Sequence, residues 1–189
     1  IPSFYLILNG ISISNLGNYE IIGVLELGKF EIPFLLLAIG LLINATNYID
    51  GIDGLLLTFF MCCLGYYIFL IDDTNTVSLL QLLLIPVILN LILNLLPSKS
   101  KFKIFSGDSG SLFIGFFVSF LTIDLYKNFN IHPVFLIWPL WYPVYDFLFV
   151  SLKRIILKKS IFSPDKSHLH HKIFIKFKKN NLKIILLFF

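Results

Sequence analysis

The sequence predicts an all-α protein that crosses a membrane about five times. Three observations carry this. Of 189 residues, 57% are hydrophobic and only 14% charged, with a mean hydropathy of +0.87, whereas soluble domains carry about 25% charged residues. The charges cluster so that five neutral stretches remain, 32–49, 54–71, 74–98, 109–123 and 128–145. Each is near the roughly 20 residues that a helix needs to cross the hydrocarbon core. The stretches run continuously in Leu, Ile and Phe instead of alternating, which selects helices over strands. This composition excludes an ordinary soluble enzyme, a disordered tail and a disulfide scaffold.

Taken in order, residues 1–8 read as the end of a truncated span. Residues 11–32 alternate in part, and Gly17-Asn18 supplies turn chemistry, so a small β-hairpin is expected on the outer face. The five spans follow. The adjacent Cys62 and Cys63 fall inside an apolar run and read as packed or lipid-facing thiols. A second truncated span is expected to begin near Leu182. Residue 1 is Ile, the only methionine is Met61, and the chain stops within an apolar run. The expectation is therefore one membrane-embedded domain, residues 1–189, from a longer polytopic protein.

Orientation follows from the basic residues. Lys99, Lys101 and Lys103 lie in one connection, and ten more Lys or Arg lie between Lys153 and Lys183. Five crossings put both segments on one face, with Asp50 and Asp53, and leave only Lys29 and Lys127 opposite. The basic face is then cytoplasmic, in the inner membrane of a cell. The net charge of +4 is accounted for by topology and implies no nucleic-acid partner.

Three motifs share that face. In the first, Asn44, Asn47, Asp50 and Asp53 recur every three positions as a span leaves the membrane, and two Asp-Gly pairs break the helix. A plain helix end and turn would need one such pair, and ionisable groups near membrane depth are functional candidates. The second motif, Phe105-Ser106-Gly107-Asp108-Ser109-Gly110-Ser111, opens the next inward-starting span. Asp108 there is either a simple N-cap or a ligand for the Mg²⁺ that accompanies a phosphate at a helix N-terminus. The third, Ser163 to His171, holds His168, His170 and His171 beside Lys166 and Lys172. No Cys or Glu accompanies them at zinc spacing, and imidazoles among lysines suit a diphosphate. Together the motifs describe a membrane-surface site for a metal-bound diphosphate, with phosphoryl transfer or phosphate-ester recognition as its chemistry.

The residues also carry a resemblance. Segment 44–55 resembles the Asn-x-x-Asn-x-x-Asp-Gly-x-Asp-Gly-Leu motif of the polyprenyl-phosphate N-acetylhexosamine-1-phosphate transferases. Segment 105–111 is similar to their Phe-Met-Gly-Asp-x-Gly-Ser motif, and segment 162–173 to their histidine loop. Asn94 before Pro97, and Pro143 before Asp146 with Lys153-Arg154 beyond, also fall where that family has them. Ser106 departs from the family's Met. The family's upstream Asp-Asp motif is absent, and Asp72-Asp73, one crossing beyond Asp53, reads as an ordinary outer-face loop.

The resemblance implies transfer of a sugar 1-phosphate from a UDP-sugar to a polyprenyl phosphate. An acceptor phosphate oxygen attacks the β-phosphorus and UMP leaves. It implies Mg²⁺, with Mn²⁺ as a substitute, held by Asp108 and Asn47. Asp50 and Asp53 would lie beside the nucleotide and diphosphate as catalytic groups with Asp108. Asn44, Asn94, His168, His170 and His171 would contact substrate. The His-Leu-His-His form is similar to the branch that uses UDP-GlcNAc-type donors to begin cell-surface polysaccharides, not the branch that uses UDP-MurNAc-pentapeptide. Membrane lipid is a further partner, and a homodimer is compatible with the family. The alternatives are an inactive relic of such an enzyme, or a polytopic transporter, which would place its carboxylates near the bilayer midplane.

Overall fold

A computed structural model of the chain describes residues 7, 11–158, 169–177 and 180–189. An antiparallel hairpin, β1 (Asn15–Tyr19) and β2 (Gly23–Glu26), comes first. Next come α1 (Glu31–Ile49), α2 (Leu55–Leu70), α3 (Thr74–Asn94) and α4 (Gly107–Phe129). The short α5 (Pro133–Ile137) runs through a 3₁₀ turn into α6 (Trp141–Ile156), and α7 (Leu169–Lys176) and α8 (Asn181–Phe188) complete the chain. Four helical stretches, Gly28–Ile49, Thr74–Asn94, Gly107–Phe129 and Pro133–Ile156, are long and apolar enough to cross a membrane. The protein is a multi-pass membrane protein.

The fifth expected span, α2, is a shorter apolar helix of 16 residues. The turn at 50–54 takes residues from its start, and Gly54 adopts a φ of +82°. It is also the central helix. Leu55, Leu56, Phe59, Cys63, Leu64 and Tyr67 are all 0–1% exposed. The Tyr67 hydroxyl lies 2.7 Å from Thr122 Oγ1 and donates to the carbonyl of Leu136 at 3.0 Å. A buried hydroxyl with two partners carries no desolvation penalty, so α2 is tied to both α4 and α5.

Two helix ends differ from the neutral-run expectation. α4 continues past Ile123 to Phe129, carrying Asp124 and Lys127, and α6 continues past Tyr145 through Asp146 to Ile156. A charged residue ends a neutral run but not a helix: Lys127 is exposed and can reach water while the backbone stays helical, whereas Asp146 is buried inside the bundle. The hairpin turn differs too. Tyr19 pairs with Gly23, so the chain reverses at 20–22. Gly17 instead sits within β1 at a register irregularity, at φ +109° and against the ring of His132. Its positive φ suits a bulge. Tyr19 meets His132 edge-on at 5.1 Å, and the Tyr126 hydroxyl donates to Asn15 O at 2.9 Å, which fixes the hairpin to that end of the bundle.

Asp73, at the same end as the hairpin, accepts the Thr76 N–H at 2.8 Å and caps α3. That bond holds its carboxyl below the usual range. The Asp72-Asp73 pair is an ordinary helix start. α8 begins at Asn181, where the second flanking span was expected, and its eight residues pack into the core. Ile184 is 0% exposed, and Phe188 stacks on Tyr142 with ring centroids 4.0 Å apart.

Candidate active site

The tightest contact between α1 and α4 brings the first two motifs together. Gly115 on α4 has no room for a side chain. A Cβ there would lie 2.7 Å from the Ile43 Cα and would also strike the Thr46 hydroxyl. Thr46 Oγ1 in turn donates across the interface to Ser111 O at 3.1 Å. One turn nearer the helix ends, Asn47 Nδ2 donates to Ser111 Oγ at 2.9 Å and to Asp108 Oδ1 at 3.2 Å. Ser111 Oγ donates to the Asp108 carbonyl at 3.0 Å. Asn47 and Asp108, 61 positions apart in the chain, therefore meet through a small-residue helix contact. Asp108 lies inside the first turn of α4 and Ser106 stands at the N-cap without a side-chain cap bond, so the N-cap alternative for Asp108 does not hold.

Asp50 terminates α1. Burial, then the negative charges of Asp108 and Asp53, push its carboxyl up to about 6. Nearby like charges raise a half-buried carboxyl in this way. Asp53 leaves the turn in another direction. Lys103 Nζ lies 2.7 Å from its Oδ2, and Asn181 Nδ2 donates to the same oxygen at 3.4 Å. The Lys103 ammonium also stands 5.1 Å from the centre of the Phe105 ring, within range of a cation–π contact.

Asn94, 5% exposed, joins the same two segments from beneath. Its Oδ1 accepts the Gly54 N–H at 2.5 Å and its Nδ2 donates to Ile104 O at 2.8 Å. Both ends of its amide are engaged with backbone, which gives it a part in shaping the site. Asn44 is exposed and bonds back to Gly40 O at 2.7 Å within α1, apart from the Asn47–Asp108 cluster. Of the histidine motif, His168 lies outside the described residues. His170 and His171 lie in α7, and their side chains are outside the described set.

The glycosyl transferase family 4 model matches residues 1–126. The chain belongs to this family. A Bacillus subtilis (strain 168) protein, named "Probable undecaprenyl-phosphate N-acetylglucosaminyl 1-phosphate transferase", is 36% identical over 150 residues, 78% of this chain and 42% of that protein. The Escherichia coli (strain K12) undecaprenyl-phosphate alpha-N-acetylglucosaminyl 1-phosphate transferase is 34% identical over 164 residues, 83% of this chain and 43% of its own. The Yersinia pestis protein of the same name is 33% identical over 153 residues. The chain spans less than half the length of the curated relatives it matches. No solved structure matches it.

The donor set of this family 4 chain fits a hard divalent cation. Asp108, Asn47 and Asp50 offer oxygens, and among the described residues no group of three His, Cys, Asp or Glu gathers as a protein-only cage. Mg²⁺ typically takes one or two carboxylates, several waters and substrate phosphates, and a cation among mutually repelling carboxylates relieves that repulsion. Sequence reasoning gave no site role to three participants, Lys103, Gly115 and Ser111, the last of them named only as part of the second motif. Lys103 was indistinguishable from the lysines that set topology. Gly115 and Ser111 carry no titratable group, and their spacing of four on one face of a helix was the only available signal.

Proposed function

We propose that the protein transfers N-acetylglucosamine 1-phosphate from UDP-N-acetylglucosamine to undecaprenyl phosphate, releasing UMP, at the cytoplasmic face of the inner membrane. The observation that carries this reading is the meeting of Asn47 and Asp108 at 3.2 Å beside the charge-coupled Asp50. The activity named for the family 4 relatives supports it.

On this reading Asp108 and Asn47 would hold Mg²⁺, with Mn²⁺ as a substitute, and Asp50 would lie beside the nucleotide and diphosphate. The metal would neutralise charge on the leaving nucleotide. The chain's own contribution is positional. Asn47 is held by Ser111 and Asp108, beside the close α1–α4 contact at Gly115, so its amide is preorganised. Asp53 and Lys103 form a paired acid and base over Phe105 at the edge of the turn, where the nucleotide and diphosphate are expected. Asn94 locks the backbone of both loops beneath them. His168, His170 and His171 would contact the diphosphate, as the resemblance implies. Phosphoryl transfer leaves little covalent work to a protein, so positioning and electrostatics supply most of the acceleration.

The test uses the full-length protein with radiolabelled UDP-N-acetylglucosamine and undecaprenyl phosphate. Asp108→Ala is expected to abolish Mg²⁺-dependent lipid product without preventing membrane insertion. Retained turnover refutes the metal assignment. Wild-type use of UDP-MurNAc-pentapeptide in preference to UDP-N-acetylglucosamine refutes the donor.

A further inference from the structure

Asp146 is a carboxylate deep in a transmembrane helix, 3% exposed, on the buried side of α6 with Tyr142, Val150 and Arg154. Ten residues separate it from the end of α6 at Ile156, so it sits about 15 Å below that end at 1.5 Å per residue. Its Oδ1 accepts the backbone N–H of Leu169 at 2.9 Å. Leu169 is the first described residue of α7. The N–H groups of a helix's first turn have no partner within the helix, and a carboxylate also matches the positive end of its dipole. α7 therefore dips well below the end of α6, with its first turn on a buried acid and Ile173, Phe174 and Phe177 against the core.

His170 and His171 directly follow Leu169. We propose that Asp146 is a positioning residue for the transfer reaction: its buried carboxylate pins the first turn of α7 and so fixes where His170 and His171 are presented to the donor's diphosphate. The proposal rests on the reading above that these histidines face the donor. Its structural half, the tether, stands independently. Mobile imidazoles would have to be ordered during each encounter with substrate. A tethered first turn meets that entropic cost on folding.

Two substitutions remove the bond from opposite sides. Asp146→Leu removes the acceptor and keeps an apolar side chain of similar size. Leu169→Pro removes the donor at the first helical position, where proline is tolerated, and replaces a side chain that is 38% exposed. Asp146→Asn keeps an acceptor oxygen and is the conservative control.

Hydrogen exchange of residues 169–176 in the full-length protein in lipid nanodiscs reads the tether without reference to activity. Asp146→Leu and Leu169→Pro should each speed exchange about tenfold, the equivalent of one lost hydrogen bond, and Asp146→Asn should stay near wild type. Equal exchange in all four proteins overturns the tether. The second readout is kcat/KM for UDP-N-acetylglucosamine. Asp146→Leu and Leu169→Pro should lose about the same factor as the double His170→Ala/His171→Ala variant. Adding Asp146→Leu to that double variant should cost nothing more. A multiplicative loss instead shows a general effect on the bundle and overturns the positioning role. Faster exchange alongside a fully active double-histidine variant keeps the tether, and overturns the histidine reading and the catalytic consequence drawn from it.

Discussion

Replacing Gly115 by alanine adds one methyl group at the contact that brings the two halves of the site together. That methyl would begin 2.7 Å from the Ile43 Cα and 3.2 Å from the Leu42 carbonyl. Ordinary contact begins near 3.4 Å, so α1 and α4 must separate by about 0.7 Å. Neither neighbour is the far end of a flexible side chain, so the backbone has to move. Asn47 Nδ2 and Asp108 Oδ1, 3.2 Å apart, would then open to about 3.9 Å, beyond hydrogen-bond reach. Overpacking of this kind costs roughly 1–3 kcal/mol of stability. A misplacement approaching 1 Å in a reacting array costs up to about 100-fold in rate, so a loss of at least about tenfold in kcat is expected. Thermal unfolding in detergent and UMP release by the full-length protein measure the two effects. Serine at position 119, one turn on, is the control, since Ser119→Ala only removes a hydroxyl bonded within α4 to Gly115 O. Wild-type Tm and wild-type kcat in Gly115→Ala would refute the idea that this helix contact sets the geometry of the site.

The Asp50 carboxyl, raised to about 6 from an ordinary 3.8, makes a signed prediction for the metal-free protein. A raised acid pKa contributes stability that is full below pH 3.8 and lost as pH rises through about 6. Asp50→Asn should therefore raise the Tm at pH 7 and leave it unchanged near pH 4; no difference between the two pH values would contradict the charge crowding. Lys103→Glu should lower the Tm by placing like charges where a 2.7 Å pair now stands. Adding Asp53→Lys should recover the Tm without recovering turnover, and failure of the swap to recover stability would deny the pair a structural role. Asn94→Leu strips partners from the Gly54 N–H and the Ile104 carbonyl, at about 1–3 kcal/mol for each buried group left unpaired. A Tm within a degree of wild type would show that water replaces the amide.

Much of this was legible in the chain before folding. Four neutral runs located α1 to α4 and the fifth located α5 and the start of α6, because the cost of burying charge in a bilayer is written directly into where charges are missing. The paired Asp-Gly steps marked the turn at 50–54, since Gly54 occupies a backbone region closed to most other residues. The motif positions of Asn47, Asp50, Asp53 and Asp108 were readable because amide and carboxylate groups in an apolar chain stand out singly. The helix ends at Phe129 and Ile156 and the hairpin turn at 20–22 were not. Charge spacing bounds the hydrocarbon and not the hydrogen-bond ladder, and Gly17 offers the same freedom to a bulge as to a turn.

The sequence by itself determined the approximate places of the helices and the candidate chemistry. Both depend on each residue's own polarity and on neighbours within a few positions. Tertiary structure alone decided the pairings. Asn47 meets Asp108, Lys103 meets Asp53, and Asp146 takes the Leu169 N–H across separations of 61, 50 and 23 positions. None has a local signal, because each exists only after helices pack at distances set by small side chains such as Gly115. A lysine fifty residues from its carboxylate is one basic residue among fifteen until packing brings the two within 2.7 Å.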